Sequence, residues 1–327
     1  MTISKAGIAV MMGCMTALAC AQAVAANATD WPTRPVTMVV PFPAGGATDI
    51  VGRLLAKELT QRLGQTFVVE NKGGANATIG MQYVANAQPD GYTILYNTSS
   101  LALSPALYKK LSFDPMTSFT AVSTTATVPL VLLVNNSLPV SSAAEFVAYA
   151  RAHPGKLNYA SSGNGNVTHL AAFLFNKNTG IQAQHVPYKG TTPALVDLMG
   201  GQVQYMIGTV NDALPHIQAN KVKTLAMTTA SRLPILPDVP TVNESVSKGF
   251  DLSAWQGVMV PAGVAPEVVQ RLNGAIRDAL KSPEFVAQLD KQGAVTLGST
   301  PQEYAKYLDQ QLAYWKTAVR EAGVEQE

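Results

Sequence analysis

Val36-Thr37-Met38-Val39-Val40-Pro41-Phe42-Pro43-Ala44-Gly45-Gly46-Ala47-Thr48-Asp49 is the stretch on which the fold turns. Its first five residues are apolar and mostly β-branched, as in a buried strand, and Pro41 ends the run. A Pro-Ala-Gly-Gly loop follows. Ile50, Leu54, Leu55, Leu59 and Leu63 then recur at helical spacing, and Gly64 closes the helix. The glycines therefore join the carboxyl end of a strand to a helix N-terminus. Asp49 falls in the first turn, where a carboxylate complements the dipole and caps the helix.

The same alternation continues on both sides of the next loops. Phe67-Val68-Val69 reads as a second strand, a helix runs from the Gly73-Gly74 loop to about Ala87, and Thr93-Ile94-Leu95-Tyr96 is a third strand. Val128 to Val134 is strongly β-forming and opens a fresh series. Helices are expected at Ala143 to Ala152, Val167 to Asn178 and Thr192 to Met199. Strands are expected at Leu157 to Ala160, Gln184 to Val186, Val203 to Ile207 and Val222 to Met227. A Pro-rich stretch, Leu233 to Thr241, breaks the rhythm. A last strand near Ser253 to Val260 precedes two amphipathic helices that begin at Pro266 and Pro301, since proline suits the first helical turn. Strand–loop–helix repetition predicts an α/β fold of two lobes, each a mainly parallel sheet flanked by helices. The expected division is 26–128 and 251–327 for the first lobe and 129–250 for the second.

A second glycine loop stands at the matching place in the second series: Ser161-Ser162-Gly163-Asn164-Gly165-Asn166-Val167-Thr168-His169. Glycine lets the backbone approach a ligand, and a helix start offers unpaired N–H groups and the positive end of the dipole. Together they make an anion site that needs no basic side chain. Two such loops facing each other suit a small carboxylate at the carboxyl ends of the strands. Neither loop carries the Lys-Ser/Thr of a P-loop or the Gly-x-Gly-x-x-Gly of a dinucleotide fold, so a nucleotide is a poor candidate.

The ends and the composition narrow the class. Lys5 is the one charge before Asp30, and an apolar run from Ala6 to Ala19 leads to Ala23-Val24-Ala25. This reads as a signal peptide, 1–25, cut after Ala25, with Ala21-Gln22-Ala23 as the alternative site. The run falls short of the roughly 20 residues of a membrane span. Cys20 as a lipid anchor fits poorly behind Ala17-Leu18-Ala19. Cys14 and Cys20 both lie in the leader, so the expected periplasmic chain has no thiol for catalysis or metal binding. Without Lys5 it carries 22 basic and 21 acidic residues, a balance that argues against nucleic acid. Its four histidines show no metal-ligand spacing. No metal, cofactor or catalytic residue is expected, and a monomer is.

Trp31-Pro32-x-Arg34-Pro35, Val40 to Gly46, Asn71-Lys72-x-Gly74-Ala75, Asp90-Gly91-Tyr92, Val186-Pro187-Tyr188-Lys189-Gly190 and Leu236-Pro237-Asp238-Val239-Pro240-Thr241 occur in order. Over essentially the whole chain after the leader, the sequence resembles the Bug family, the substrate-binding components of tripartite tricarboxylate transporters. The resemblance implies a two-lobed "Venus flytrap" that binds organic acids, commonly dicarboxylates, and a partner permease with one large and one small membrane subunit. It also implies contacts from the two loops: Phe42, Ala44, Gly45, Gly46 and Thr48 from the first, and Ser162, Gly163, Gly165 and Thr168 from the second.

Other candidates rest on position. Asn97 and Ser99, with Thr98, end a strand that should open into the cleft, and Gly74 and Ala75 are similar. Tyr188 could close one side of the pocket. His169 has two readings, a donor to ligand or a helix-face histidine packed on the sheet. Asp212 is a helix cap or a contact with the far end of the ligand. Trp255 and Phe42 are the aromatics expected nearest the cleft, which would admit an aromatic acid. The leading expectation is capture of a di- or tricarboxylate and delivery to the permease, with a sensor kinase as a further docking partner. A secreted hydrolase is the rival; Ser162 and His169 are its nearest approach to a nucleophile and base, and no Gly-x-Ser-x-Gly elbow occurs.

Overall fold

The computed structural model describes residues 30–326. The expected leader, 1–25, with both cysteines, lies outside the described residues. The opening unit forms as its residues dictate. β1 (Val36–Val40) leads through the glycine loop into α1 (Ala47–Leu63), where Leu55 and Leu59 are fully buried. Gly64 ends α1 in the left-handed region, φ 72°, and its N–H bonds to the Thr60 carbonyl. β2 (Phe67–Asn71) and β3 (Thr93–Thr98) lie parallel to β1 on its two sides, with α2 (Thr78–Ala85) connecting them. α3 (Ser100–Leu107) follows β3.

The second series runs α4 (Ala143–Ala152), β5 (Leu157–Ser161), α5 (Val167–Thr179), β6 (Ala183–Pro187), α6 (Thr191–Met199), β7 (Tyr205–Thr209), α7 (Val210–Gln218), β8 (Lys223–Met227) and α8 (Val242–Ser245). β5 pairs in parallel with both β6 and β7. The chain then returns through β9 (Ser253–Pro261), α9 (Pro266–Ala279), α10 (Pro283–Lys291), the two-residue β10 (Val295–Thr296) and α11 (Pro301–Glu321).

Between the two series runs β4 (Phe119–Val134), sixteen residues long. Its first part pairs antiparallel with β9, down to Pro129 opposite Ser253. Its second part pairs antiparallel with β7 and β8, from Leu130 opposite Thr209. Pro129 has no N–H to give a ladder and sits where β4 exchanges one partner for another. Each series thus has its own sheet of parallel strands, and the linking strands β4 and β9 run antiparallel to their neighbours. The molecule is two-lobed. Buried Thr228 fastens the outgoing and returning chain: its N–H and hydroxyl reach the Leu130 carbonyl at 2.9 and 3.0 Å, and its hydroxyl reaches the Leu252 carbonyl at 2.6 Å. α11 packs on β4 and α3, and its Glu321 pairs with Lys177 of α5 at 2.8 Å.

Besides the short α8 and β10, which were not expected, three elements differ from expectation. α3 is hidden in the sequence because Ser100 to Leu107 is short, apolar throughout and interrupted by Pro105. α10 intervenes before the C-terminal helix, with a Ser282 cap and Pro283 at its first turn. β4 begins at Phe119, nine residues before the predicted start, because Ser123, Thr124 and Thr125 dilute its apolar signal although all three are buried.

Candidate functional site

Five helices open on one cleft of about 550 Å³ between the two sheets. α1 presents Gly46 and Thr48; α3, Ser99 and Ser100; α5, Asn166, Val167 and Thr168; α6, Gly190, Thr191 and Thr192; α7, Thr209, Asn211 and Asp212. Each helix start leaves N–H groups without intrahelical partners and carries roughly half a positive elementary charge. The N-caps of α1, α3, α6 and α7 make no side-chain cap bond; at α3 the Thr98 hydroxyl takes the Ser100 N–H at 3.2 Å, and at α5 the Asn166 side chain takes the Thr168 N–H at 3.2 Å. Among the described lining residues none is Lys, Arg or His, and the single charged side chain is Asp212. The positive potential comes from backbone alone.

The first loop is held by Asp49. This carboxylate is 2% exposed and lies beneath the loop, not in the cleft. It accepts the Gly45 N–H at 2.8 Å, Arg53 Nε at 2.9 Å and Asn71 Nδ2 at 2.8 Å. Asn71 Nδ2 also reaches the Phe42 carbonyl at 3.0 Å, tying the loop to β2. Burial works to raise the Asp49 pKa, but the bonds from Arg53, Gly45 and Asn71 and the Arg53 charge outweigh it, so it titrates below the ordinary range. The structural reading of Asp49 is the one the geometry supports.

The floor comes from the linking strands: Val128 of β4 and Ala254, Trp255 and Gln256 of β9. Trp255 borders the cleft but is fully buried; its Nε1 donates to Gln311 Oε1 at 3.2 Å. Burial pushes the Tyr96 phenol well above its usual pKa, against a smaller opposing effect of the Thr125 hydrogen bond. It therefore keeps its proton and donates to Gln256 Oε1 at 2.8 Å, which turns Gln256 Nε2 toward Thr48 Oγ1 at 3.4 Å.

Of the residues singled out in the sequence, Phe42, Gly46, Thr48, Thr98, Ser99, Ser162, Thr168, Asp212 and Trp255 line this cleft. The others do not. Gly45 spends its N–H on Asp49, and Ala44 beside it is exposed to solvent. Gly74 packs on Ile79, where a Cβ would stand 2.6 Å from Cδ1, and Ala75 begins a left-handed run, Ala75-Asn76-Ala77, behind α3. Asn97 turns under the sheet to accept the Tyr304 hydroxyl at 2.7 Å. Gly163 packs against the Tyr188 carbonyl, and Gly165 against Leu107 of the other lobe, where a Cβ would meet Cδ2 at 2.3 Å. Tyr188 is drawn onto α6 by a 2.7 Å bond to Asp197.

His169 follows its second reading and packs on the sheet. It is 4% exposed, its Nδ1 accepts the Gly165 N–H at 3.1 Å, and its ring stacks on His185 at 3.7 Å between centroids. Burial, and then the neighbouring His185, push the His169 pKa far down. Ser162 bonds to Thr168 Oγ1 at 2.9 Å, not to a histidine. Ser161 does meet His185 Nε2, at 2.7 Å, but it has no exposed surface to offer a substrate.

The sequence reading missed the α6 start, Gly190-Thr191-Thr192, and the α7 residues Thr209 and Asn211. The signal was available for α6: Val186 to Gly190 was read as a motif, and the strand–turn–helix step simply continues through Thr191. A second groove, about 770 Å³, lies beside α2, but its Arg34 is already paired with Asp90 at 2.9 Å and no helix start is shown entering it. Among the described residues no cluster of His, Cys, Asp or Glu could hold a metal ion, and no helix is long and apolar enough to cross a membrane.

Comparison with known proteins agrees with this architecture. Residues 51–324 match the model of the "Tripartite tricarboxylate transporter family receptor". The chain is similar to the solved structure of R. palustris Rpa4515 with adipate, at 37% identity and a TM-score of 0.82, covering 91% of this chain and all of that one. Similarity to the periplasmic binding protein BugD is 38% identity and TM-score 0.79, over 91% of this chain and all of BugD. MatC (Rpa3494) from Rhodopseudomonas palustris with bound malate matches at 34% identity and TM-score 0.76, over 88% of this chain and all of MatC. A cleft of helix starts between two linked sheets, and a family match over most of the chain, together place this protein in the tripartite tricarboxylate transporter receptor family, among the Bug-type solute-binding proteins.

Proposed function

We propose that the protein is a periplasmic receptor that captures a small organic acid in the interlobe cleft and delivers it to a membrane transporter with a large and a small subunit. The observation that carries this reading is the convergence of five helix N-termini on a cleft whose described lining residues include no basic side chain. Such a cleft stabilises a carboxylate with oriented N–H groups and hydroxyls. The family match and the adipate and malate bound by Rpa4515 and MatC support the same ligand class. Closure pivots on the linking strands near Pro129 and Thr228, and the closed form is the one that docks. The hydrolase alternative loses its candidate pair, since Ser162 and His169 each bond elsewhere.

A thermal-shift screen of the chain from Ala26 onward, against mono-, di- and tricarboxylates and aromatic acids, tests the proposal. A ligand at a hundred times its Kd adds about 2.7 kcal/mol of stability to the folded state. A selective rise in Tm with one acid is expected. No shift with any acid, together with turnover on an ester panel, would overturn it.

A further inference from the structure

The five helix starts are not equivalent. Four present glycines, hydroxyls or an amide to the cleft, whereas α7 presents Asp212, the one charged group among the described lining residues. No described ion pair involves Asp212. Its one described hydrogen bond comes from the Thr209 hydroxyl, at 2.7 Å. Thr209 thereby points its proton at Asp212 and makes no cap bond to the α7 backbone. Beside it, Asn211 Oδ1 is buried in the cleft wall with no donor. A buried acceptor without a partner is costly, and a bound donor would relieve it. An anionic group brought next to Asp212 would meet like charge with no cation to offset it.

We propose that the α7 end of the cleft is an acceptor subsite, formed by Asp212 and Asn211, that selects acids whose far end carries an N–H donor, an amide or ammonium group, over acids with a second carboxylate there. The proposal rests on the reading of the cleft as a carboxylate site and specifies its ligand. One carboxylate takes the N–H groups at the α1 start, beside Gly46 and Thr48; the other end of the ligand gives its hydrogens to α7. Specificity then comes from a repulsive element as well as an attractive one. Asp212 is exposed and stabilising packing does not depend on it, so its substitution should leave the fold intact.

The test is calorimetric titration of matched probes: succinate, glutarate and adipate, their monoamides, and 4-aminobutyrate, 5-aminopentanoate and 6-aminohexanoate. The native chain should bind the best monoamide or amino acid at least tenfold more tightly than the diacid of the same length. Asp212→Asn should remove most of that preference, chiefly by strengthening diacid binding about tenfold, with Tm of the free protein unchanged. A diacid bound as tightly as its monoamide, or a preference that survives Asp212→Asn, would overturn the subsite while leaving the carboxylate reading intact. No binding by any probe would overturn the subsite as stated, while the carboxylate reading would stand or fall on the wider acid screen.

Discussion

Asp49→Ala should damage the protein in two measurable ways. The side chain is 2% exposed and accepts three hydrogen bonds, from the Gly45 N–H, Arg53 and Asn71, at 2.8 to 2.9 Å. Hydrogen bonds to a charged group contribute about 1.5–3 kcal/mol each. Arg53 is half exposed and recovers water when freed, so its bond counts for little. The Gly45 and Asn71 bonds remain, and a loss of about 3 kcal/mol follows. Urea unfolding followed by tryptophan fluorescence reads it, since Trp31, Trp255 and Trp315 are all buried. The sign of the pH dependence is set by the lowered pKa of Asp49. Its stabilisation is fully present above the ordinary value of 3.8 and fades as pH falls through the lower native value. The gap between native and variant proteins should therefore be wide at pH 7 and narrow below about pH 4. Acid binding should also weaken, because the loop that carries Gly46 and Thr48 loses its tie to β2. An unchanged midpoint, or a gap equally wide at pH 3, would refute the reasoning.

Further outcomes follow from other contacts. Gly165→Ala should cost about 1–3 kcal/mol in thermal unfolding, from a strained φ of +68° and the collision with Leu107; Leu107→Ala should restore part of it, and full additivity of the two changes would contradict the contact. The neutral stack of His169 on His185 and Tyr159 should make stability fall as pH drops below 6.5, because the unfolded chain takes up protons that buried His169 refuses. His169→Phe should flatten that slope, and a slope unchanged by it would count against the assignment. Thr228→Val removes two hydroxyl bonds between the linking segments and should cost about 1 kcal/mol, read as a lower unfolding midpoint.

The opening βα unit was legible because every local signal agreed: β-branched strand, terminating proline, glycine loop, helical period and Gly64 cap. The second glycine loop was legible for the same reason. The limits have physical causes. Gly45 and Gly165 were read as ligand contacts because glycine permits close approach, yet one serves Asp49 and the other serves Leu107. Composition alone does not say which partner approaches. Asn97 and Thr98 close β3, and strand alternation sends neighbouring side chains to opposite faces, so one meets Tyr304 and the other the cleft. The α6 and α7 starts carry threonine and asparagine in place of a Gly-Gly run, and only the packing of the second sheet brings them to the same opening. The partner change at Pro129 was visible as a proline in a β-forming run, but its meaning appears only when β7 and β9 take opposite ends of β4.

The most direct test of a carboxylate site built from helix starts is paired titration of each acid in the panel and its fully amidated counterpart. The account predicts one-to-one binding by at least one acid, with much weaker binding when its carboxylates are all converted to amides, since the positive end of a helix favours a charged acceptor over a neutral carbonyl. Equal binding of an acid and its amide, or binding by neither across the panel, would contradict it.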